Sequence, residues 1–184
     1  MRTRSMRIGL FAIVVIVLSF LFNQYFVHFS GDRKSSPEEA LPTDHDYIWI
    51  EGPQTDTVHR YFFLADGNYF GTGIVTKNLT GWSSGGGVFS EIPNPLNENE
   101  IKSAHSDNQI LFGLINPKGN IEVNINGKAA TLIELSTVSE EMLNLYGIKG
   151  YKIWFIDLSL IEDKDHFKIR IINEQDDILN ELSI

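Results

Sequence analysis

The stretch Ile121–Gly127 reads Ile-Glu-Val-Asn-Ile-Asn-Gly, and it indicates the fold class. Its apolar and polar residues alternate, which predicts a strand with one face in a core and the other in water. The pair Asn126-Gly127 is the strongest two-residue hairpin signal in the chain and is typical of a type I′ turn. We therefore expect Ala129–Leu135 to return along the first strand.

Similar short runs lie on both sides of this hairpin, each bounded by turn formers. They predict eight to ten strands, with at most one or two short helices, one of them within 137–146. The clearest further runs are Tyr47–Ile50, Val58–Leu64, Tyr69–Thr76, Gln109–Ile115, Tyr151–Ile156 and Phe167–Ile171. This pattern predicts an all-β fold, an antiparallel β-sandwich with an immunoglobulin-like layout. A small closed β-barrel is the alternative.

The stretch Ile8–Val27 contains no charged residue and is apolar on every face. A helix needs about 20 such residues to cross a hydrocarbon core about 30 Å thick. We therefore predict a transmembrane anchor at 8–27, which divides the chain into four parts. They are a basic cytoplasmic N-terminus at 1–7, the anchor at 8–27, a flexible tether at 28–46 and an extracytoplasmic β domain at 47–184.

Arg2, Arg4 and Arg7 precede the apolar run, whereas the first acidic residue is Asp32. Basic residues beside a span are retained in the cytoplasm, so we expect the C-terminal domain outside the cell membrane. A cleaved signal peptide is the competing interpretation. Ile8–Phe22 would be the apolar region of such a peptide, ended by Asn23-Gln24. The residues that follow, Tyr25–Phe29, contain no small-residue cleavage site, which favours an uncleaved single-pass anchor.

All 24 acidic residues and 12 of the 15 basic residues follow position 28, giving this part a net charge of 12 − 24 = −12. Such a charge disfavours nucleic acid and anionic lipid as partners. The chain has no cysteine, which excludes disulfides, thiolate metal sites and cysteine nucleophiles. An outer domain without disulfides is more typical of a bacterial envelope than of eukaryotic secretion.

The candidate ligand-binding residues are Trp82, Ser83 and Ser84, within the glycine-rich stretch Asn78–Glu91. We expect this stretch to form a loop, with Trp82 either anchoring it by packing or contacting a ligand. Gly81, Ser83 and Gly85 also match the nucleophile elbow G-x-S-x-G. The glycines and apolar residues that follow do not resemble the helix that such an elbow requires.

No spacing of histidines predicts a zinc site, and no glycine motif predicts a nucleotide site, so we predict no metal and no cofactor. The sequence favours a membrane-anchored binding or protein-interaction module at the bacterial envelope, with an envelope protein or a glycan as its partner. The alternative from another class is an envelope hydrolase that uses the Gly81–Gly85 segment. A third hypothesis is an assembly role, in which a sheet edge recruits a partner strand.

Overall fold

The computed structural model describes residues 2–29, 34–93 and 95–184, with the backbone alone for residues 2, 3, 5 and 23–29. Helix α1 spans Arg2–Phe29, and its described apolar side chains from Met6 to Phe22 are all exposed. Among the residues described, no helix has the combined length and apolarity needed to cross a membrane. The membrane location of the chain therefore stays a prediction.

The rest of the described chain is dominated by antiparallel β-structure, which confirms the predicted all-β class. A short 3-10 helix covers Glu38–Ala40, helix α2 covers Glu140–Leu145 and a second 3-10 helix covers Leu158–Leu160. The strands are β1 Ile48–Gln54, β2 Val58–Ala65, β3 Tyr69–Asn78, β4 Gly81–Glu91, β5 His105–Ser106, β6 Ile110–Ile115, β7 Ile121–Ile125, β8 Lys128–Ala129, β9 Thr131–Glu134, β10 Lys152–Asp157, β11 Lys168–Asn173 and β12 Ile178–Ser183.

These strands form three open, four-stranded sheets. Sheet 1 has the order β1-β2-β3-β4, sheet 2 the order β5-β6-β10-β9, and sheet 3 the order β12-β11-β7-β8. The predicted sandwich layout has two sheets, so the described part of the chain contains one sheet more than expected. The predicted alternative, a closed barrel, is not formed by these strands, because each sheet keeps two edges.

By its contacts the chain divides into two compact units. The smaller unit comprises Met1–Leu41, Gln54–His59 and Val75–Gly85, and the larger one comprises Pro42–Pro53, Arg60–Ile74 and Gly86–Ile184. The larger unit contains both hydrophobic cores and all of sheets 2 and 3.

Sheet 2 is buried on both faces, because every residue of β6 is buried. On one face, Phe112 packs against Phe62 and Phe70 of sheet 1, with ring centroids 5.7 and 5.5 Å apart. On the other face, Leu111 and Ile115 join a second core with residues of sheet 3. A strand buried on both faces is apolar throughout, which is why Ile110–Ile115 lacks polar alternation.

The turn predicted from sequence at Asn126-Gly127 is where we expected it. Asn126 and Gly127 have φ values of 50° and 85°, the left-handed pair that a type I′ turn requires, and they join β7 to β8. Helix α2 lies within the predicted range 137–146, and Gly147 follows it with φ 67°. The side chain that caps α2 is Ser139, which accepts a hydrogen bond from the Met142 amide.

Part of the predicted tether makes specific contacts. The Lys34 amide donates to the Trp82 carbonyl at 3.3 Å, and the Trp82 amide donates to the Lys34 carbonyl at 2.9 Å. Ala40, at the end of the first 3-10 helix, is buried. Residues 30–33 of this segment lie outside the described residues, and the predicted division of the chain into four parts stays a prediction.

Candidate functional site

The glycine-rich stretch that we expected to form a loop is strand β4, the edge of sheet 1. The expectation came from the low strand propensity of glycine. Pairing with β3 outweighs this low propensity, because the packing and pairing of a strand affect its stability more than the intrinsic preferences of its residues do. The predicted ligand-binding residues Trp82, Ser83 and Ser84 are the second, third and fourth residues of this strand.

Trp82 is held by several neighbours in the smaller unit and is only 7% exposed. The His59 ring meets it edge-on, with centroids 4.7 Å apart, and the Lys77 ammonium lies 5.7 Å from its ring centroid. A cation over an indole ring is attracted by the ring's quadrupole. The geometry matches the packing anchor of the two roles considered for Trp82, and its part in ligand binding stays a prediction.

Ser83 and Ser84 differ in their surroundings. The Ser83 hydroxyl accepts a hydrogen bond from the Asn78 amide at 3.3 Å, whereas Ser84 is exposed. The G-x-S-x-G match lies within a strand and not on a strand-to-helix turn, so the arrangement differs from that of a nucleophile elbow. The hydrolase hypothesis stays a prediction that labelling of Ser83 by a fluorophosphonate would test.

The glycines of β4 serve different purposes in the larger unit. A Cβ atom on Gly87 would lie 2.2 Å from the Thr72 carbonyl oxygen, and one on Gly71 of β3 would lie 2.5 Å from the Val88 carbonyl oxygen. No Cβ can occupy such positions, so these two glycines allow a close approach of β3 and β4. A Cβ on Gly86 would meet no atom within 4 Å.

The side of β4 that faces away from β3 is accessible along the larger unit. Gly86 and Gly87 are exposed, and the Phe89 side chain is 66% exposed while its ring lies edge-on to Tyr69 at 5.8 Å. This part of the strand therefore presents backbone groups together with an aromatic side chain.

A buried ion pair in the larger unit was missed by sequence reasoning. Arg60 of β2 is 4% exposed, and its guanidinium pairs with the buried Asp107 carboxylate, donates to Gln109 Oε1 at 2.8 Å and donates to Thr72 Oγ1 at 3.3 Å. The Asp107 carboxylate also accepts the amides of Gln109 and Ile110, both at 3.0 Å. The signal in the sequence is an arginine directly before the apolar and aromatic run Tyr61–Ala65 of the same strand.

Two ionisable groups in the larger unit have shifted pKa values. Hydrogen bonding from Ser159, assisted by the charge of Arg60, holds the pKa of Asp157 below its usual range. Burial lowers the pKa of His105, whose ring lies 5.9 Å from that of Phe112. Both groups lie at strand ends in sheet 2, because His105 begins β5 and Asp157 ends β10.

A groove with a volume of about 690 Å³ lies in the larger unit. It lies between the β7–β8 hairpin, the segment Leu160–Lys168 and the end of β12. Asn126 spans it by donating to the carbonyls of Asp163 and His166 at 3.3 and 2.9 Å. Nowhere in the described part of the chain do three or more histidine and carboxylate side chains form a group able to hold a metal ion.

Comparisons with the models of known protein families, with curated proteins and with solved structures found no match to this chain.

Proposed function

We propose that this protein is a membrane-anchored interaction module of the bacterial envelope, and that the edge of β4 accepts an extended segment of a partner protein. The edge of β4 is the single observation that carries the interaction. A free edge offers unpaired backbone groups, and addition of a partner strand is a common mode of peptide recognition.

The other sheet edges carry features that discourage pairing. β5 and β8 have two residues each, β9 ends in Glu134, and β1 contains Glu51 and Pro53. β12 contains Glu181, and its pairing with β11 has a register shift. Short length, charge, proline and bulges are the usual devices that protect an edge. In β4, Trp82 is already paired with Lys34, and the strand ends in Glu91 as β9 ends in Glu134. The stretch between them from Gly86 to Ser90 has none of these devices, which makes it the best-suited edge among the described strands.

The side chains of this edge also suit strand addition. Gly86 and Gly87 leave the backbone open to close approach, and the exposed Phe89 ring supplies an apolar contact for alternate side chains of an added strand. The net charge of −12 after position 28 favours a neutral or basic segment and disfavours nucleic acid. An envelope protein is therefore the preferred partner, and a glycan is the other predicted class.

The anchor is proposed from α1 and the sequence around it. Twelve large apolar residues between Ile8 and Phe22 are exposed on this helix, with exposed fractions of 43 to 70%. Apolar side chains on all sides of one helix need an apolar environment, and the absence of acidic residues beside the preceding arginines favours an N-terminus in the cytoplasm.

The edge is tested by photo-crosslinking in cells. A benzophenone amino acid at Ser84, which is exposed on β4, should give an adduct with the partner, and Gly86→Lys should remove it. Lysine on an edge blocks strand addition, and position 86 has room for the side chain.

Gln175→Lys is the matched control, because it adds the same charge at an exposed turn. It should leave the adduct at Ser84 unchanged. Adduct formation that is equal in Gly86→Lys and in the unchanged chain contradicts the proposed edge.

The topology is tested with single cysteines, since the chain has none of its own. An impermeant maleimide added to intact cells should label Ser84→Cys, and it should label Ser5→Cys only after the cells are opened. The opposite labelling pattern contradicts the proposed orientation. Release of the protein into the medium, or a mature chain that lacks the cysteine at position 5, contradicts the anchor.

A further inference from the structure

The turn between β3 and β4 exposes a leucine at its end. We call Lys77–Trp82 the hairpin tip; β3 ends within it at Asn78 and β4 begins at Gly81. Leu79 is 82% exposed, the highest value among the large apolar side chains that the structure describes. Asn78 Oδ1 accepts the Thr80 amide at 2.9 Å and the Thr80 hydroxyl at 2.8 Å, so the turn that presents Leu79 is internally fixed.

The residue beside Leu79 that favours a membrane interface is Lys77, whose side chain is exposed. Trp82, which is only 7% exposed, forms the packed base of the hairpin tip, with the Lys77 ammonium against its ring. A lysine can extend toward phosphate groups while its stem lies on apolar surface. A single exposed leucine would carry little meaning alone, but the hairpin tip also has a special position along the chain.

The hairpin tip is fastened close to the end of α1. Lys34 makes two backbone hydrogen bonds with Trp82, and α1 ends at Phe29, five residues earlier. Five residues span at most about 18 Å even when fully extended. The headgroup layer is about 5 to 8 Å thick on each side of a bilayer. Whatever path the intervening chain takes, Trp82 is therefore held near the bilayer surface if α1 spans it.

We propose that the hairpin tip docks on the outer surface of the same bilayer, with Leu79 inserted among the lipids and Lys77 beside their phosphates. This inference rests on the proposed membrane anchor and adds a second contact with the membrane. The only acidic residue of the adjacent β1–β2 turn is Asp56, and the Thr57 carbonyl of that turn accepts the Lys77 amide at 2.7 Å. Because the charge of Asp56 offsets that of Lys77, the insertion of the apolar Leu79 side chain provides the main attraction to the bilayer.

The experiment uses the full chain in lipid nanodiscs of phosphatidylcholine. An environment-sensitive fluorophore is attached to the Leu79→Cys variant. In the disc, the fluorophore should emit at a shorter wavelength than it does on the same variant after unfolding without detergent. Spin-labelled lipids in the disc should reduce its emission. Lys128→Cys, at an exposed position of the β7–β8 hairpin, is the matched control and should respond to neither.

The outcomes separate this inference from the proposed anchor. Emission of Leu79→Cys that matches Lys128→Cys, in protein that co-purifies with the discs, overturns the docking and leaves the anchor standing. Failure of the full chain to enter discs overturns the anchor, and the docking with it. Lys77→Gln should weaken the quenching in phosphatidylcholine discs, because it removes the charge placed beside the lipid phosphates.

Discussion

Gly86 and Gly87 are adjacent in β4, yet a methyl group has very different effects at the two positions. At Gly87 it would meet the Thr72 carbonyl oxygen at 2.2 Å, whereas at Gly86 it would meet nothing within 4 Å. The backbone of β3 cannot move away cheaply, because Thr72 is fully buried and donates its hydroxyl to the Tyr61 carbonyl.

We therefore predict that Gly87→Ala lowers the free energy of unfolding by about 1 to 3 kcal/mol, the usual cost of overpacking. Gly86→Ala should change it by less than about 0.5 kcal/mol. Urea unfolding followed by tryptophan fluorescence measures both. Equal effects of the two substitutions would show that β3 and β4 are not as close as the structure places them.

His105 should make stability depend on pH near neutrality. Because burial lowers its pKa in the folded state, the unfolded chain takes up a proton first as the pH falls below 6.5. The folded state is then favoured fully above pH 6.5 and loses stability as the pH falls from there toward the lowered pKa, by at most about 1.4 kcal/mol per pH unit. His105→Gln should flatten this part of the stability profile.

His166→Gln is the control for this measurement, because the His166 side chain is 84% exposed. Its profile from pH 7.5 to 5 should keep the slope of the unchanged protein. If His105→Gln keeps that slope as well, the burial of His105 has no consequence for stability.

Single residues were predicted well where their chemistry is local. Asn126-Gly127 requires left-handed backbone, and both residues adopt it. The role of Gly87 could not be predicted, because it depends on the distance to a strand that only the folded sheet brings near. Trp82 was ambiguous for the same reason, since its covering partners are Lys77, five residues earlier, and His59, twenty-three residues earlier.

At the scale of elements, the Arg60–Asp107 pair joins β2 of sheet 1 to the turn between β5 and β6 of sheet 2. We predict that Asp107→Asn lowers the free energy of unfolding by about 3 to 5 kcal/mol, because it leaves a buried guanidinium without its counter-charge. The asparagine oxygen can still accept the two amides of the turn, so the loss reports the charge. Urea unfolding provides the value.

The double variant Arg60→Met with Asp107→Asn should be more stable than Asp107→Asn alone, because the buried charge is then removed with its partner. Glu181→Gln removes one side of an exposed pair with Arg170 and serves as the control, with a small effect expected. A double variant that is less stable than the single one would contradict this account of the pair.

Elements were predictable where one pattern dominates. The alternation of Ile121–Ile125 and of Phe167–Ile171 gave β7 and β11, which are paired with each other. β4 was missed as a strand because its composition is that of a loop, and its pairing depends on a long-range partner. The third sheet was missed because sequence periodicity assigns residues to faces but does not assign strands to sheets.

At the scale of the whole molecule, the segment Lys34–Leu41 completes the smaller unit. We predict that a chain beginning at Pro42 melts about 2 to 6 °C lower than one beginning at Lys34, because it loses two backbone hydrogen bonds to Trp82 and the buried Ala40. Calorimetry of the two shortened chains measures the difference. Identical melting temperatures would mean that this segment contributes nothing to stability.

The order of strands in sheets 2 and 3 has a consequence for how the chain folds. Sheet 2 takes β5, β6, β9 and β10, and sheet 3 takes β7, β8, β11 and β12, so their strands alternate in blocks along the chain. Sheet 2 cannot be finished until β10 has been synthesised, and sheet 3 cannot be finished until β12 has been synthesised. Contacts between distant residues slow folding, so we expect the two sheets to form over milliseconds to seconds once these strands are present. Until then the apolar Ile110–Ile115 has no cover, and a chaperone would keep it from aggregating.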